Sequence, residues 1–215
     1  FAWPVVIVTM LGFLRVREAL FLALRGALHT LTYWLAAALL LWEIHWQVQQ
    51  VAGGVWPIAA VLALGAVLVM TTVRSRARFA WPLAVHAGIY LRACCGGLLC
   101  ALGVATLVAN VASPGDAAPL PYLPLVNPLE LASVFVWLVL LEWWAAVAEH
   151  DRQLAALTPY RAAVAAVFGW FLVTMAVARA VHHWSGVPYE LDRLAGSTTL
   201  QSALSIVWGL AGLAA

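Results

Sequence analysis

Charged residues are scarce in this sequence, and lysine is absent. Of the 215 residues, 9% are charged and 65% are hydrophobic. A soluble domain carries about 25% charged residues, because most of its surface must stay hydrated. The scarcity of charge therefore excludes a soluble globular domain of this size. The lipid bilayer is the solvent that this composition fits.

The eleven basic residues are all arginines, and the formal net charge is only +2. Binding to a nucleic-acid backbone depends on many basic side chains that neutralise phosphates. The small net charge therefore argues against a nucleic-acid partner, and the lipid bilayer is the predicted partner instead.

Cysteine is scarce as well. Cys94, Cys95 and Cys100 lie within one apolar stretch. Adjacent cysteines rarely pair with each other, and no histidine follows at the spacing of a zinc site. We predict free thiols packed between helices, with no metal site and no cofactor.

Long apolar stretches dominate what remains. Most approach the roughly 20 residues that cross about 30 Å of hydrocarbon, and lipid leaves backbone hydrogen bonds to be satisfied within a helix. The sequence therefore predicts an all-α, polytopic transmembrane helix bundle of about seven spans. The stretches are Phe1–Leu14, Ala27–Gln47, Trp56–Val73, Ala93–Val111, Pro128–Ala148, Ala162–Val181 and Thr198–Ala215.

Two further stretches, Glu18–Leu28 and Phe79–Leu91, are expected to lie along the membrane interface or to extend a neighbouring span. The chain starts without methionine and ends inside an apolar run. We therefore expect residues 1–215 to form one transmembrane region of a longer polytopic protein, with the remaining transmembrane helices as partners.

The arginines predict an orientation. They cluster in alternate connections between the spans, so one side of the membrane, here called the arginine-rich side, carries most of them. By the positive-inside rule this side is cytoplasmic. The opposite, arginine-poor side then holds Glu43–Gly54, Ala112–Asn127 and His182–Gly196. The arginines of the alternate connections are Arg15, Arg17, Arg25, Arg74, Arg76, Arg78, Arg152 and Arg161.

The connection before the fifth span is rich in proline and reads APLPYLPLVNP. Prolines fix the backbone and remove donors, so this run is not a helix interior. It is either a stiff connector that caps the bundle or a loop that shapes an outward-facing pocket. In the second case Tyr122 and Asn127 are its polar contacts.

A second polar segment runs from Arg179 to Ser197. Arg179, His182 and His183 share one helical face, and Glu190 and Asp192 follow. The segment is either an interfacial anchor or a binding or acid–base site, because histidine titrates near neutrality.

The fifth and sixth spans are joined by a short connection, so they should be antiparallel neighbours. That arrangement predicts that the outer loops touch and that Glu130 pairs with Arg179, since each charge is costly alone at the membrane boundary. Glu43 and His45 close the second span on the same side.

The seventh span carries a polar stripe of Ser197, Gln201 and Ser205 on one face. The stripe is either structural glue between helices or the lining of a polar pathway. The candidate binding residues on the arginine-poor side are together Glu43, His45, Tyr122, Asn127, Glu130, Arg179, His182, His183, Glu190, Asp192 and Gln201.

Two segments carry a resemblance to a known family. They are LPYLPLVNPLEL at Leu120–Leu131 and the block from Arg179 to Leu210, and the pattern of His29, Trp34 and Glu43 agrees with them. The sequence resembles the bacterial predicted membrane proteins of domain of unknown function 2339. The resemblance implies a longer, multi-pass protein of the bacterial cytoplasmic membrane.

Three functions fit these observations. The first is transport or envelope assembly by a non-enzymatic membrane protein with a polar site near the extracytoplasmic face. The second is an integral-membrane transferase for a lipid-linked or envelope substrate, in which Arg179 binds phosphate and His182 or His183 moves protons. The third is a structural scaffold. The sequence leaves the substrate open.

Overall fold

The computed structural model describes residues 3–214, which form helices joined by loops, with no strand in that range. The all-helical class predicted from the sequence is confirmed. The helices are α1 (Trp3–Arg17), α2 (Arg25–Val51), α3 (Trp56–Ser75), α4 (Gly97–Ala112), α5 (Pro128–Ala148), α6 (Arg152–Ala156), α7 (Arg161–Ser185), α8 (Leu191–Ala195) and α9 (Thr198–Ala214).

Five helical segments are long and apolar enough to cross a membrane. They are Arg25–Val51, Trp56–Ser75, Ile89–Ala112, Pro128–Ala148 and Thr158–Ser185.

The predicted count of about seven spans is not confirmed. Helix α1 has 15 residues and α9 has 17, so they rise roughly 22 and 26 Å, short of the roughly 30 Å of hydrocarbon. Phe1, Ala2 and Ala215, which belong to the predicted first and seventh spans, lie outside the described residues.

The two stretches of uncertain placement differ in the structure. Glu18–Phe21 is a single 3-10 turn between α1 and α2. Ala80–Ala84 and Ile89–Gly96 are π-helical, and the second runs directly into α4. Trp81 has extended backbone angles, which interrupt the helix there. Ile89–Leu91 therefore forms the start of the fourth long segment, Ile89–Ala112, whereas Ala80–Ala84 is a separate helical turn before it.

Helix α3 lies at the centre of the bundle, packed against α2, α4 and α5. Leu62 and Val69 of α3 and Val139 of α5 are fully buried in this core. At Gly65 an added Cβ would lie 2.6 Å from Cδ2 of Leu102, so the absence of a side chain lets α4 approach α3 closely. Helices α7 and α9 form a second, smaller packing unit with α8, around Ala178, Val181, Leu194 and Leu200.

Local signals set the ends of the helices next to the arginine-poor loops. The Asn127 side chain accepts a hydrogen bond from the backbone N–H of Leu129, and Pro128 occupies the first turn of α5. Gly186, with a φ of 68°, terminates α7 in the left-handed conformation. Residues 113–127 between α4 and α5 form no helix, as their prolines predict.

Candidate functional site

A buried polar cluster joins α4, α5, α7 and the 113–127 loop on the arginine-poor side. We call it the Arg179 cluster; its members are Asn110, Ser113, Tyr122, Asn127, Glu130, Ser133 and Arg179. Arg179 is 0% exposed and Glu130 is 3% exposed. Nη1 of Arg179 donates to Oε1 of Glu130 at 3.2 Å. The contact between these two residues that the sequence predicts is therefore confirmed.

The rest of the guanidinium is also bonded to protein. Its Nη2 donates to the backbone oxygen of Asn110 at 2.8 Å and to Oδ1 of Asn110 at 2.9 Å. Its Nε donates to the backbone oxygen of Ser113 at 3.2 Å. All three guanidinium nitrogens thus donate hydrogen bonds to protein oxygens, and Arg179 connects α7 to α4, to the 113–127 loop and to α5.

Glu130 is bonded through both of its oxygens. Its Oε1 accepts from the Tyr122 hydroxyl at 2.7 Å, and its Oε2 accepts from the backbone N–H of Leu125. The Tyr122 hydroxyl also lies 3.0 Å from the backbone oxygen of Ala176 on α7. Burial raises the pKa of Tyr122, and the hydrogen bond to the Glu130 carboxylate raises it further. Tyr122 therefore remains a neutral donor that fixes the loop on α5 and α7.

Asn127 and Gly115 close the loop over the cluster. Nδ2 of Asn127 donates to the backbone oxygen of Gly115 at 2.7 Å. Gly115 has a φ of 90°, and an added Cβ would lie 2.7 Å from Cδ of Arg179. Only glycine both accepts that backbone angle and leaves room for the arginine side chain.

The two arginine-poor segments, Ala112–Asn127 and His182–Gly196, touch, as the sequence predicts. The rings of Tyr122 and His183 are stacked, with centroids 4.5 Å apart, and Nε2 of His183 donates to the backbone oxygen of Pro114 at 2.8 Å. The Tyr189 hydroxyl donates to the backbone oxygen of Asn110 at 3.1 Å. His182 instead donates from Nδ1 to the backbone oxygen of Val187 at 2.7 Å, so it braces its own loop.

Other predicted site residues lie apart from the cluster. Glu43 accepts a hydrogen bond from Gln47 on its own helix, and His45 is exposed. Glu190 and Asp192 are also exposed, and Gln201 is exposed with its Nε2 bonded to the backbone oxygen of Ala195. The structure therefore does not assemble these five residues with Arg179, and a ligand-binding role for them stays a prediction.

Sequence reasoning missed three members of the cluster: Asn110, Ser113 and Ser133. Asn110 and Ser133 are 0% exposed, and Nδ2 of Asn110 donates to Oγ of Ser133 at 2.8 Å. A signal was available, because an asparagine near the end of an apolar span needs a partner in lipid.

An apolar cavity lies next to the Arg179 cluster, between α7, α9 and the 113–127 loop. Its volume is about 380 Å³. Leu125 and Ala176, whose backbones bond to Glu130 and Tyr122, form part of its wall. The rest is apolar apart from Ser185, and includes Pro124, Val177, Ala203 and Val207.

A second group of titratable side chains lies on the arginine-rich side. The group contains Glu18, His29 and His86. Glu18 lies in the turn before α2, His29 in the first turns of α2, and His86 before Ile89–Gly96. Each residue offers one potential ligand atom, and these atoms lie within 4.8 Å of one another. Burial alone would raise the pKa of the Glu18 carboxyl, but contacts with His86 and Trp81 hold that pKa below its ordinary value. Sequence reasoning, which predicted no metal site, missed this group because its members are far apart in the chain.

Comparison with known proteins gives one family. The family model described as "Predicted membrane protein (DUF2339)" matches residues 1–215. Nothing among curated proteins or solved structures matches the chain.

Proposed function

Since the chain belongs to the DUF2339 family of predicted membrane proteins, we propose that it works in envelope assembly or transport, in the bacterial cytoplasmic membrane, by binding the apolar part of an amphiphilic molecule. The observation that carries this proposal is the apolar cavity between α7, α9 and the 113–127 loop. Its volume of about 380 Å³ falls within the roughly 300–1,000 Å³ of ligand pockets.

The chemistry of the cavity supports an acyl or prenyl chain as the occupant. Its walls are formed by small and branched apolar side chains such as Ala176, Val177 and Val207, which attract hydrocarbon and offer little to a polar solute. Trp184 lines the same cavity, and tryptophan favours the headgroup level of a bilayer. A molecule with a chain in the cavity would therefore hold its headgroup near the outer loops.

The Arg179 cluster serves this function as a structural clamp. It fixes the backbone of Leu125 through Glu130, and the backbone of Ala176 through Tyr122. Both residues belong to the cavity wall. A buried, hydrogen-bonded charge network is rigid because any rearrangement leaves a charge unpaired, so the cavity keeps its shape when the loops meet lipid.

The transferase alternative is less well supported by this geometry. It needs a free cation for phosphate, whereas all three nitrogens of Arg179 donate to protein oxygens. A non-enzymatic binding protein needs no such cation, and it uses the same outer face.

The proposal includes the finer topology. Helices α1 and α9 continue the alternation of the five long spans, so we propose that they cross as the first and seventh. The arginine-poor loops are then extracytoplasmic, and the cavity opens towards that side.

A photoactivatable lipid with a diazirine in its acyl chain tests the proposal. In the protein reconstituted in nanodiscs, we expect labelled peptides from the 113–127 loop, α7 and α9. Val177→Trp fills the cavity and should reduce this labelling severalfold. Val167→Trp is the matched control, because Val167 lies on the same helix with its side chain exposed, and it should leave labelling unchanged.

Thermal unfolding of each variant must show that it is folded. If Val177→Trp is folded and labels as strongly as Val167→Trp, the cavity does not bind lipid chains, and the scaffold hypothesis is favoured.

A further inference from the structure

The His29 side chain on the arginine-rich side has an unsatisfied nitrogen. His29 is 0% exposed, and its Nδ1 lies 3.1 Å from the hydroxyl of Tyr90. Its Nε2 is buried without a hydrogen-bond partner among residues 3–214. A buried polar atom left without a partner destabilises the folded state, and such atoms are rare enough to require an explanation.

The orientation of His29 is the one that a metal ligand has. When Nδ1–H donates to the Tyr90 hydroxyl, Nε2 carries the lone pair. Metal-binding histidines almost always use one ring nitrogen for the ion and donate from the other to a neighbouring group, which fixes the tautomer and the ring. Tyr90 is buried as well, so it holds this ring orientation firmly.

The potential ligand atoms of His86 and Glu18 lie close to that of His29. Nε2 of His86 lies 2.6 Å from Oε1 of Glu18, yet this nitrogen makes no hydrogen bond of acceptable geometry within residues 3–214. The ring centroids of His29 and His86 are 4.7 Å apart. Two imidazole nitrogens and one carboxylate oxygen thus converge from three separate segments of the chain.

We propose that Glu18, His29 and His86 bind a divalent transition metal ion of the zinc class. Two histidines and one glutamate are a known ligand set for Zn²⁺, with a fourth position left for water or another ligand. Imidazole nitrogens favour Zn²⁺ and its transition-metal neighbours over Mg²⁺ or Ca²⁺, which prefer oxygen ligands.

Binding requires only small side-chain movements. With metal–ligand bonds of about 2.0–2.1 Å, tetrahedral ligand atoms lie roughly 3.4 Å apart. The contact of 2.6 Å between His86 and Glu18 must therefore lengthen, and the widest separation, up to 4.8 Å, must shorten. Nε1 of Trp81 donates to Oε2 of Glu18 at 3.4 Å. The other carboxylate oxygen, Oε1, is the one that faces His86.

One neighbouring cation competes with the ion. Nε of Arg25 lies 3.6 Å from Oε1 of Glu18, and the Arg25 side chain is 41% exposed. Because it reaches solvent, this side chain can turn away when an ion binds. The site joins the turn before α2, α2 itself and the segment before α4, so a bound ion stabilises their packing.

Metal content and cobalt spectroscopy test the proposal. Purified protein carrying the whole chain without a histidine tag is treated with chelator, supplied with Zn²⁺ or Co²⁺ and washed. We expect one ion per chain by elemental analysis, a visible Co²⁺ absorption typical of nitrogen and oxygen ligands, and a higher melting temperature with Zn²⁺, because a ligand that binds only the folded state stabilises it.

Variants locate the ion. His29→Gln, His86→Gln and Glu18→Gln should each abolish the cobalt absorption and the shift in melting temperature. Tyr90→Phe removes only the partner of Nδ1 and should weaken Zn²⁺ affinity about 10-fold or more. His45→Gln is the control, because His45 lies on the same helix α2 as His29 and is exposed; it should bind like the unmodified protein.

The unmodified protein decides the question if a variant fails to fold. Less than a tenth of an ion per chain in it, or no Co²⁺ absorption, would refute the site. Unchanged binding in a folded His29→Gln variant would do the same, since the ion would then be bound elsewhere. In either case the contact between Glu18 and His86 holds no metal ion.

Discussion

Nη1 of Arg179 lies 3.2 Å from Oε1 of Glu130, and both side chains are shielded from solvent. The two residues are 49 positions apart in the chain, on antiparallel helices whose ends on the arginine-poor side meet. A buried ion pair adds little to stability when compared with apolar residues, but removal of one partner leaves an uncompensated charge. The stability of this part of the bundle therefore depends on keeping the pair complete.

Arg179→Met should destabilise the protein by about 3–5 kcal/mol, because the Glu130 carboxylate then stays buried without its partner. Glu130→Met should have an effect of similar size. Thermal unfolding in detergent micelles measures both, and the double variant should be more stable than either single one. Double-variant stability equal to the sum of the two losses would contradict this coupling.

An exposed ion pair provides the control for that experiment. Arg74 and Glu142 are 3.5 Å apart, with side chains 66% and 44% exposed. Exposed pairs contribute about 0–1 kcal/mol. Glu142→Gln should therefore hardly change the melting temperature.

Tyr122→Phe should lower stability by about 1–3 kcal/mol, since it leaves the buried carboxylate of Glu130 with one donor fewer. It should also loosen the 113–127 loop, which hydrogen exchange of the Leu125 amide would detect as faster exchange. Tyr160→Phe is the matched control, because Tyr160 is exposed. Equal exchange in the two variants would show that Tyr122 does not hold the loop.

Gly115→Ala should destabilise the protein more than Gly186→Ala. Both glycines have a positive φ, 90° and 68°, so each substitution introduces backbone strain of about 1–2 kcal/mol. At Gly115 the new Cβ would also lie 2.7 Å from Cδ of Arg179, whereas at Gly186 nothing lies within 4 Å. The difference between the two melting temperatures measures the clash; a smaller effect at Gly115 would mean that the loop moves away freely.

Sidedness is tested with single cysteines. In a background with Cys100→Ala, since Cys100 is the exposed native thiol and Cys94 and Cys95 are buried, a membrane-impermeant thiol reagent added outside cells should label Asp116→Cys. It should label Arg76→Cys only after the membrane is opened. The reverse pattern would overturn the orientation that the arginines predict.

The long spans were predictable because the need to bury apolar surface in lipid acts on each segment separately. Apolar length located Trp56–Ser75 and Pro128–Ala148 within a few residues. Length also explains why the first and seventh spans are not confirmed, since α1 and α9 are near the limit at which an apolar helix crosses a membrane. The π-helical geometry of Ile89–Gly96 has no comparable signal in composition.

Part of the Arg179 cluster was predictable for a similar reason. A short connection makes α5 and α7 neighbours, which brings Glu130 to Arg179. Asn110 and Ser113 were missed because α4 reaches the cluster through its packing against α3 and α5, and no sequence spacing records that packing.

The sequence by itself determined the solvent and the helical class, because hydropathy is read residue by residue, and its arginine placement predicts the side of the membrane on which the polar loops lie. Only the tertiary structure decided which polar side chains meet. It gives every guanidinium nitrogen of Arg179 a hydrogen bond to a protein oxygen. It also brings Glu18, His29 and His86 together from positions far apart in the chain. The physical reason is that a buried polar atom must find a partner, and the packing of the helices determines which partner lies within reach.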